Sequence, residues 1–570
     1  MSKVFVFGMD GATFDLILPW AEQGLLPNFS KLLADGSWGP LESVPSMRSP
    51  AAWTTFLTGK NPGKHGLYEF YEPIPGTYDV RFVNGGMRQA ASVWSLLSAQ
   101  GKRVGVINVP MSYPAEPVNG FMLAGLDAPS TTSRGFCHPP DLCQKLSQKF
   151  GPYIIEPGMT GSIVRGRPDQ AVERLREELA QKEVVTQHLM QESPWDFFAV
   201  VFRSLDAVQH GFWKYMDPLH PQHDPAEAAL YGKVILETYQ QLDHSLGLVR
   251  SLLDDDTVLM VMSDHGFGRK HPANCQLNRW LASRGLLQFK ARGKSGAGKQ
   301  SWMTGALARA YRLLVANTPR GLKQMLVNWL PGLRNQVQSR LIYSNIDWPQ
   351  TRAYSDTLFA DIRINLQGRE PLGTVAPGAE YWKLIDELRE ALADCRDSVT
   401  GKKIVDRVFH RDELYTGPCA DRAPDLMIRW NQEDVIHGIA LPGGEEDPAE
   451  ASRPLIPGED PRIISGDHKL YGVCMLAGKP IRSGFKLSRA HLSDLTPTIL
   501  ALMGLPVPDD MDGHVLTEAF REALQSVSAA AGAPQAANSF PAAAEPPPPS
   551  YSADEEAAVE QRLRDLGYIE

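Results

Sequence analysis

Acids and histidines recur at the ends of apolar runs in this 570-residue chain. The run 257–262 ends on Ser263-Asp264-His265-Gly266, the run 3–8 delivers Asp10 before Gly11, and the run 197–202 is followed by Asp206 and His210. Carboxylate and imidazole are hard-to-borderline donors for a divalent cation. Asp206 and His210, four residues apart, share one face of a helical turn and could grip one ion together. Taken singly, each pair reads equally well as a solvated loop or helix face. His468, in Gly466-Asp467-His468, is a further imidazole in a loop ahead of a short strand at 473–476.

A nucleophile candidate stands in Met47-Arg48-Ser49-Pro50-Ala51-Ala52. Pro50 suits the first position of a helix, which puts Ser49 at the N-cap, where free N–H groups and the helix dipole favour negative charge. A plain capping serine is the alternative. His65, beside Gly66, reads as structural rather than as a ligand. Two divalent ions about 4 Å apart take roughly six or seven ligands and clamp the attacking and leaving oxygens of a phosphoryl transfer. Asp10, Ser49, Asp206, His210, Asp264, His265 and His468 supply that number.

These residues must be held by strands that end together. The apolar runs at 3–8, 103–109, 121–125, 197–202 and 257–262 read as buried strands, with helices at 13–33, 169–192 and 226–253 between them. The fold class is therefore α/β: a central, largely parallel β-sheet flanked by helices, with inserted helical and cap segments. In such sheets ligands bind at the carboxyl edge of the strands. Further strand signals at 352–355, 361–366, 404–409 and 425–428 suggest a cap, and His491 with Asp494 reads as helix-capping chemistry. We expect a core part at 1–289, a basic amphipathic helical insert at 290–340, a second core part with cap segment at 341–525, an Ala/Pro-rich linker at 526–550 and a C-terminal docking or partner helix at 551–570.

In this order, Asp10-Gly11, Ser49…Thr58-Gly59, Asp206-x-x-x-His210, Ser263-Asp264-His265-Gly266 and Gly466-x-His468 resemble the motifs of the alkaline phosphatase superfamily. Within it they are most similar to the type I phosphodiesterase/nucleotide pyrophosphatase group and its phosphohydrolase and phosphomutase relatives. The resemblance implies an alkaline phosphatase-like core and a metal-dependent phosphodiesterase or phosphatase working through a phosphoserine on Ser49. It assigns Asp10, Asp264, His265 and the Ser49 oxygen to one metal, and Asp206, His210 and His468 to the other. Zinc suits three imidazoles and three carboxylates, and manganese is compatible with them. In nucleotide pyrophosphatases an Asn three residues after the nucleophile helps hold the phosphate; here Ala52 occupies that place, so nucleotide specificity does not follow. Arg48 could supply a replacement charge or be a plain surface arginine. A sulfatase would need Arg four residues after the residue to be modified, whereas Ser43 and Arg48 are five apart. A phosphomutase or phosphotransferase with the same site, and a non-catalytic membrane-surface scaffold, are the alternatives.

The net charge of −9 argues against nucleic acid as a partner. A small phosphoester is the expected one. Between Lys290 and Arg340 the chain carries ten Lys/Arg and no Asp or Glu, interleaved with apolar residues, so this insert could touch an anionic membrane or present a merely solvated basic face. The P-loop-like Gly293-Lys294-Ser295-Gly296-Ala297-Gly298-Lys299-Gln300 has Gln300 where a magnesium-binding Ser or Thr is needed, and reads as a loop. Six scattered cysteines without CxxC spacing, no leader pattern and no long apolar run make a cytoplasmic protein with reduced thiols the expectation.

Overall fold

A computed structural model of the chain describes residues 2–270, 272–290, 346–355, 360–432, 434–441, 464–522 and 551–565. The basic insert beyond Lys290, its P-loop-like stretch and the 526–550 linker lie outside these residues. Among the described residues no helix is long and apolar enough to cross a membrane.

A ten-stranded sheet forms the centre. Its order is Phe485–Lys486, Ser37–Glu42, Tyr471–Ala477, Thr257–Met262, Lys3–Met9, Phe197–Phe202, Val104–Val109, Gly120–Ala124 and Cys137–His138, with Ala490–His491 also pairing to Ser37–Glu42. The middle pairings are parallel: Gly8 faces Met262 on one side and Val201 on the other. Alternation along each strand divides the core in two. Phe5, Phe7, Phe198 and Val200 pack with helices Pro168–Glu192 and Val234–Leu252. Val4, Val6, Ala199 and Val201 pack on the other face against helices Ser49–Thr58 and Leu492–Leu502. Burial on both faces explains why these strands read as continuous apolar runs rather than alternating ones.

A smaller antiparallel sheet, Ala353–Tyr354, Asp361–Ile364, Leu426–Trp430 and Val405–His410, carries helix Ala379–Ala393 and its own core around Ile362, Leu384, Leu388 and Ile428. It stands as a cap over the carboxyl edge. The expected helix at 226–253 is two, Pro225–Tyr231 and Val234–Leu252, parted at Gly232 and Lys233. The expected cap at His491 and Asp494 is present as a full capping box on helix Leu492–Leu502. Helix Ala553–Asp565 docks on the chain's own core, where Val559 and Leu563 are buried.

Candidate metal centre

The parallel strands end at one edge, and this places the acids together. Asp10 follows strand Lys3–Met9, Asp264 follows Thr257–Met262 next to it, and Asp206 sits in the first turn of helix Ser204–Met216 after strand Phe197–Phe202. Gly11, at φ +72°, turns the chain sharply after Asp10 and donates its N–H to Asp264 Oδ1 at 3.3 Å. Gly266 serves by close approach: a Cβ there would lie 2.1 Å from the Tyr471 carbonyl oxygen.

His468 arrives differently from the expected loop. It lies within strand Gly466–Lys469, antiparallel to Gly266–Arg269 and opposite Phe267. That pairing stacks its ring on His265, with centroids 3.6 Å apart. Ser49 is the first residue of its helix, and Arg48 takes the N-cap place expected for it. Ser49 Oγ lies 3.5 Å from His265 Nε2.

All three imidazoles are oriented by backbone carbonyls. His265 Nδ1 donates to Gly266 O at 3.0 Å, His210 Nδ1 to Gly466 O at 2.9 Å, and His468 Nδ1 to Met47 O at 2.7 Å. In the neutral imidazole each Nε2 then presents a lone pair inward, the arrangement that fixes metal-binding tautomers. His210 Nε2 and His468 Nε2 face each other at 3.1 Å, and lie 3.2 and 3.3 Å from Asp206 Oδ1. Ligands at 2.0–2.1 Å around a tetrahedral ion stand about 3.4 Å apart, so this triangle has the size of a cation's donor set. His265 Nε2 lies 3.6 Å from Asp10 Oδ1 and 3.3 Å from Asp264 Oδ2, and neither oxygen has a hydrogen-bond partner among the described residues. Among the described residues, the donor atoms of Asp10, Asp264 and His265 lie within 4.8 Å of one another, as do those of Asp206, His265 and His468, with His265 in both. The residues fit divalent ions.

The electrostatics agree. Asp10, Asp206, Asp264 and His265 are fully buried. Burial, and then the charges of Asp264 and Asp206, push Asp10 well above the usual carboxylate range; burial likewise raises Asp264. Burial opposes ionisation of Asp206, but His210 and His468 hold it well below its ordinary value, and Asp206 in return raises His468 against burial. Burial keeps His265 neutral. Three buried carboxylates around one point repel unless positive charge lies between them.

Several supporting residues carry no local sequence signal. Trp53 Nε1 donates to Asp10 Oδ2 at 3.1 Å, a contact foreseeable only from its place one turn after Ser49. Arg203 donates to Asp206 Oδ2 at 3.1 Å and faces Glu156. Arg48 is buried rather than on the surface: it pairs with Glu69 at 3.1 Å and with Asp361 of the cap. His65 is structural, hydrogen-bonded to Thr55 at 3.1 Å. Beside His468, a cavity of about 270 Å³ opens between Met47 and Arg48 on the core side and Asp361, Trp430 and Gln432 on the cap side.

Comparison with known proteins adds to the geometry. The chain is 49% identical over 49 residues, 9% of either protein, to 2,3-bisphosphoglycerate-independent phosphoglycerate mutase of Laribacter hongkongensis; the match thus spans only a small part of that relative. Among solved structures, human ectonucleotide pyrophosphatase/phosphodiesterase 5 aligns at 12% identity over 91% of this chain and all of that one, with a TM-score of 0.48. Phosphonoacetate hydrolase from Sinorhizobium meliloti 1021, in complex with phosphonoformate, aligns at 12% identity over 88% and 95%, also at 0.48. A model of one family, described as type I phosphodiesterase / nucleotide pyrophosphatase, matches residues 4–436, a span that includes Asp10, Ser49, Asp206, His210, Asp264 and His265. With that match over most of its length, the chain belongs to the type I phosphodiesterase / nucleotide pyrophosphatase family.

Proposed function

We propose that the protein is a cytoplasmic two-metal phosphohydrolase that cleaves a small phosphodiester or phosphomonoester through a phosphoserine on Ser49. The observation that carries this reading is the convergence of Ser49 Oγ with three inward-facing Nε2 atoms and the unpartnered oxygens of Asp10 and Asp264. Asp10, Asp264, His265 and Ser49 would hold one ion, and Asp206, His210 and His468 the other. Zinc is the preferred ion and manganese is compatible. When bound, the ions supply charge neutralisation at phosphate oxygens and an acidified serine hydroxyl.

The chain's own part is positional. Ser49 would attack phosphorus in line through its Oγ, while the first turn of its helix would direct N–H groups and dipole toward the phosphate oxygens. Attack by Oγ forms the Ser49–phosphate bond and expels the alkoxide; water then cleaves that bond and restores the serine. Ala52 is buried and offers no side-chain donor, so the phosphate oxygens rely on the helix turn and the cations. The modest cavity beneath the cap suits a small organic group.

The test is hydrolysis of bis-p-nitrophenyl phosphate beside p-nitrophenyl phosphate, after metal analysis, in wild type and Ser49→Ala. About two ions per chain and diester turnover lost in the variant support the reading. Absence of bound metal and of turnover, even with zinc or manganese supplied, overturns it. The short mutase match favours one second reading, transfer back to an alcohol, which added glycerol as acceptor would reveal as glycerol phosphate.

A further inference from the structure

Two cysteines meet at the far edge of the central sheet, away from the metal centre. Cys137 opens the last strand, Cys137–His138, opposite Leu123. The chain turns through Pro139 and Pro140, and helix Leu142–Phe150 brings Cys143 back against it. The Cys143 N–H donates to Cys137 Sγ at 3.3 Å, and Cys137 Sγ in turn lies 3.7 Å from the Pro140 carbonyl oxygen. Both are partly exposed, whereas Cys395, Cys419 and Cys474 are buried.

We propose that Cys137 and Cys143 are an oxidisable dithiol that closes into an intramolecular disulfide when the protein meets a hydroperoxide. Cys137 is the attacking group, because an N–H at the start of a helix points at its sulfur and favours the thiolate. The hydrogen bonds from Cys143, side chain first, hold Cys137 below the ordinary thiol value, and Cys143 is raised by the same contact. Burial pushes Cys395 to about 11 and Cys474 to about 12, which leaves them unreactive.

In the first step the Cys137 thiolate attacks one peroxide oxygen. An S–O bond forms, the O–O bond breaks, and hydroxide leaves to become water on protonation; sulfur loses two electrons and the peroxide gains them. In the second, Cys143 sulfur attacks Cys137 sulfur. The S–S bond forms, the S–O bond breaks, and the departing hydroxide takes the Cys143 proton as a second water. With the Cys143 backbone nitrogen 3.3 Å from Cys137 Sγ, the Cys143 side chain has to turn toward that sulfur to reach a disulfide bond length of about 2 Å.

The full chain, treated with hydrogen peroxide, alkylated and digested, would be read by mass spectrometry, with partly exposed Cys275 as the comparison within the same molecule. The expected result is loss of two hydrogens from the segment holding Cys137 and Cys143, restored by dithiothreitol, while Cys275 stays alkylatable. In Cys143→Ser, Cys137 should stop at the sulfenic acid and be captured by dimedone. Oxidation of Cys137 no faster than Cys275, or a wild-type chain that accumulates dimedone adduct without a disulfide, would overturn the proposal.

Discussion

At the scale of single residues, the centre separates donors from the groups that aim them. His210 and His468 offer Nε2 atoms 3.1 Å apart, with their protons committed to carbonyls on the other side of each ring. Replacing His468 by Ala removes one corner of the triangle with Asp206, and on the proposed two-metal reading bound metal should fall from about two ions to about one, measured by elemental analysis. Trp53→Phe keeps the ring's packing but takes the donor from Asp10; orienting partners of this kind usually contribute 10–100-fold, so metal affinity should fall by about tenfold at least. Protons compete with the metal. Burial lifts Asp264 to about 7 in the metal-free protein, so metal uptake must displace a proton below that pH. A carboxyl raised in the folded state favours folding at low pH, and that contribution is lost as pH rises from about 4 through 7. The stabilisation gained on adding metal should therefore grow as pH rises toward 7 and then level off, as read from thermal unfolding with and without zinc.

At the scale of elements, strands ending on acids were legible because burial on both faces leaves continuous apolar runs and the chemistry follows in sequence. The capping box at His491 and Asp494 was legible for a similar local reason. His468 was harder. Its strand, Gly466–Lys469, has no apolar pattern, and only pairing with Gly266–Arg269 about 200 residues away brings its ring onto His265. Arg48 was missed altogether as a buried group, since its partners Glu69 and Asp361 come from separate parts of the chain. That pairing ties the cap's Asp361–Ile364 strand to the residue before Ser49. Asp361→Ala leaves Arg48 with only Glu69 as a carboxylate partner among these two, and breaking a buried pair costs about 3–5 kcal/mol. Denaturant unfolding should show a loss of that order, and kcat/KM for the diester should fall more than metal content does.

At the scale of the whole molecule, the chain's last described segment returns to brace its core. Tyr551 donates its hydroxyl to Asp127 O at 2.7 Å, and Arg562 donates to the carbonyls of Leu126, Ala128 and Pro129. These carbonyls lie just past the carboxyl end of strand Gly120–Ala124, on the same sheet edge as the metal centre. Hydrogen bonds to a charged group contribute about 1.5–3 kcal/mol, and burial of a side chain such as Val559 or Leu563 about 1.5–3 kcal/mol. Arg562→Ala leaves three carbonyls to find water, and should lower stability by about 2 kcal/mol. Deleting residues 551–570 removes the helix with its apolar contacts and should cost several kcal/mol more. Because none of the hydrogen bonds and ion pairs of the described residues 551–565 reaches the acids and histidines of the centre, metal content measured below the unfolding transition should stay at the wild-type level. A truncated chain that keeps full stability would mean that the docked helix contributes nothing to the fold, while one that stays folded yet loses its metal would make the helix part of the centre's support.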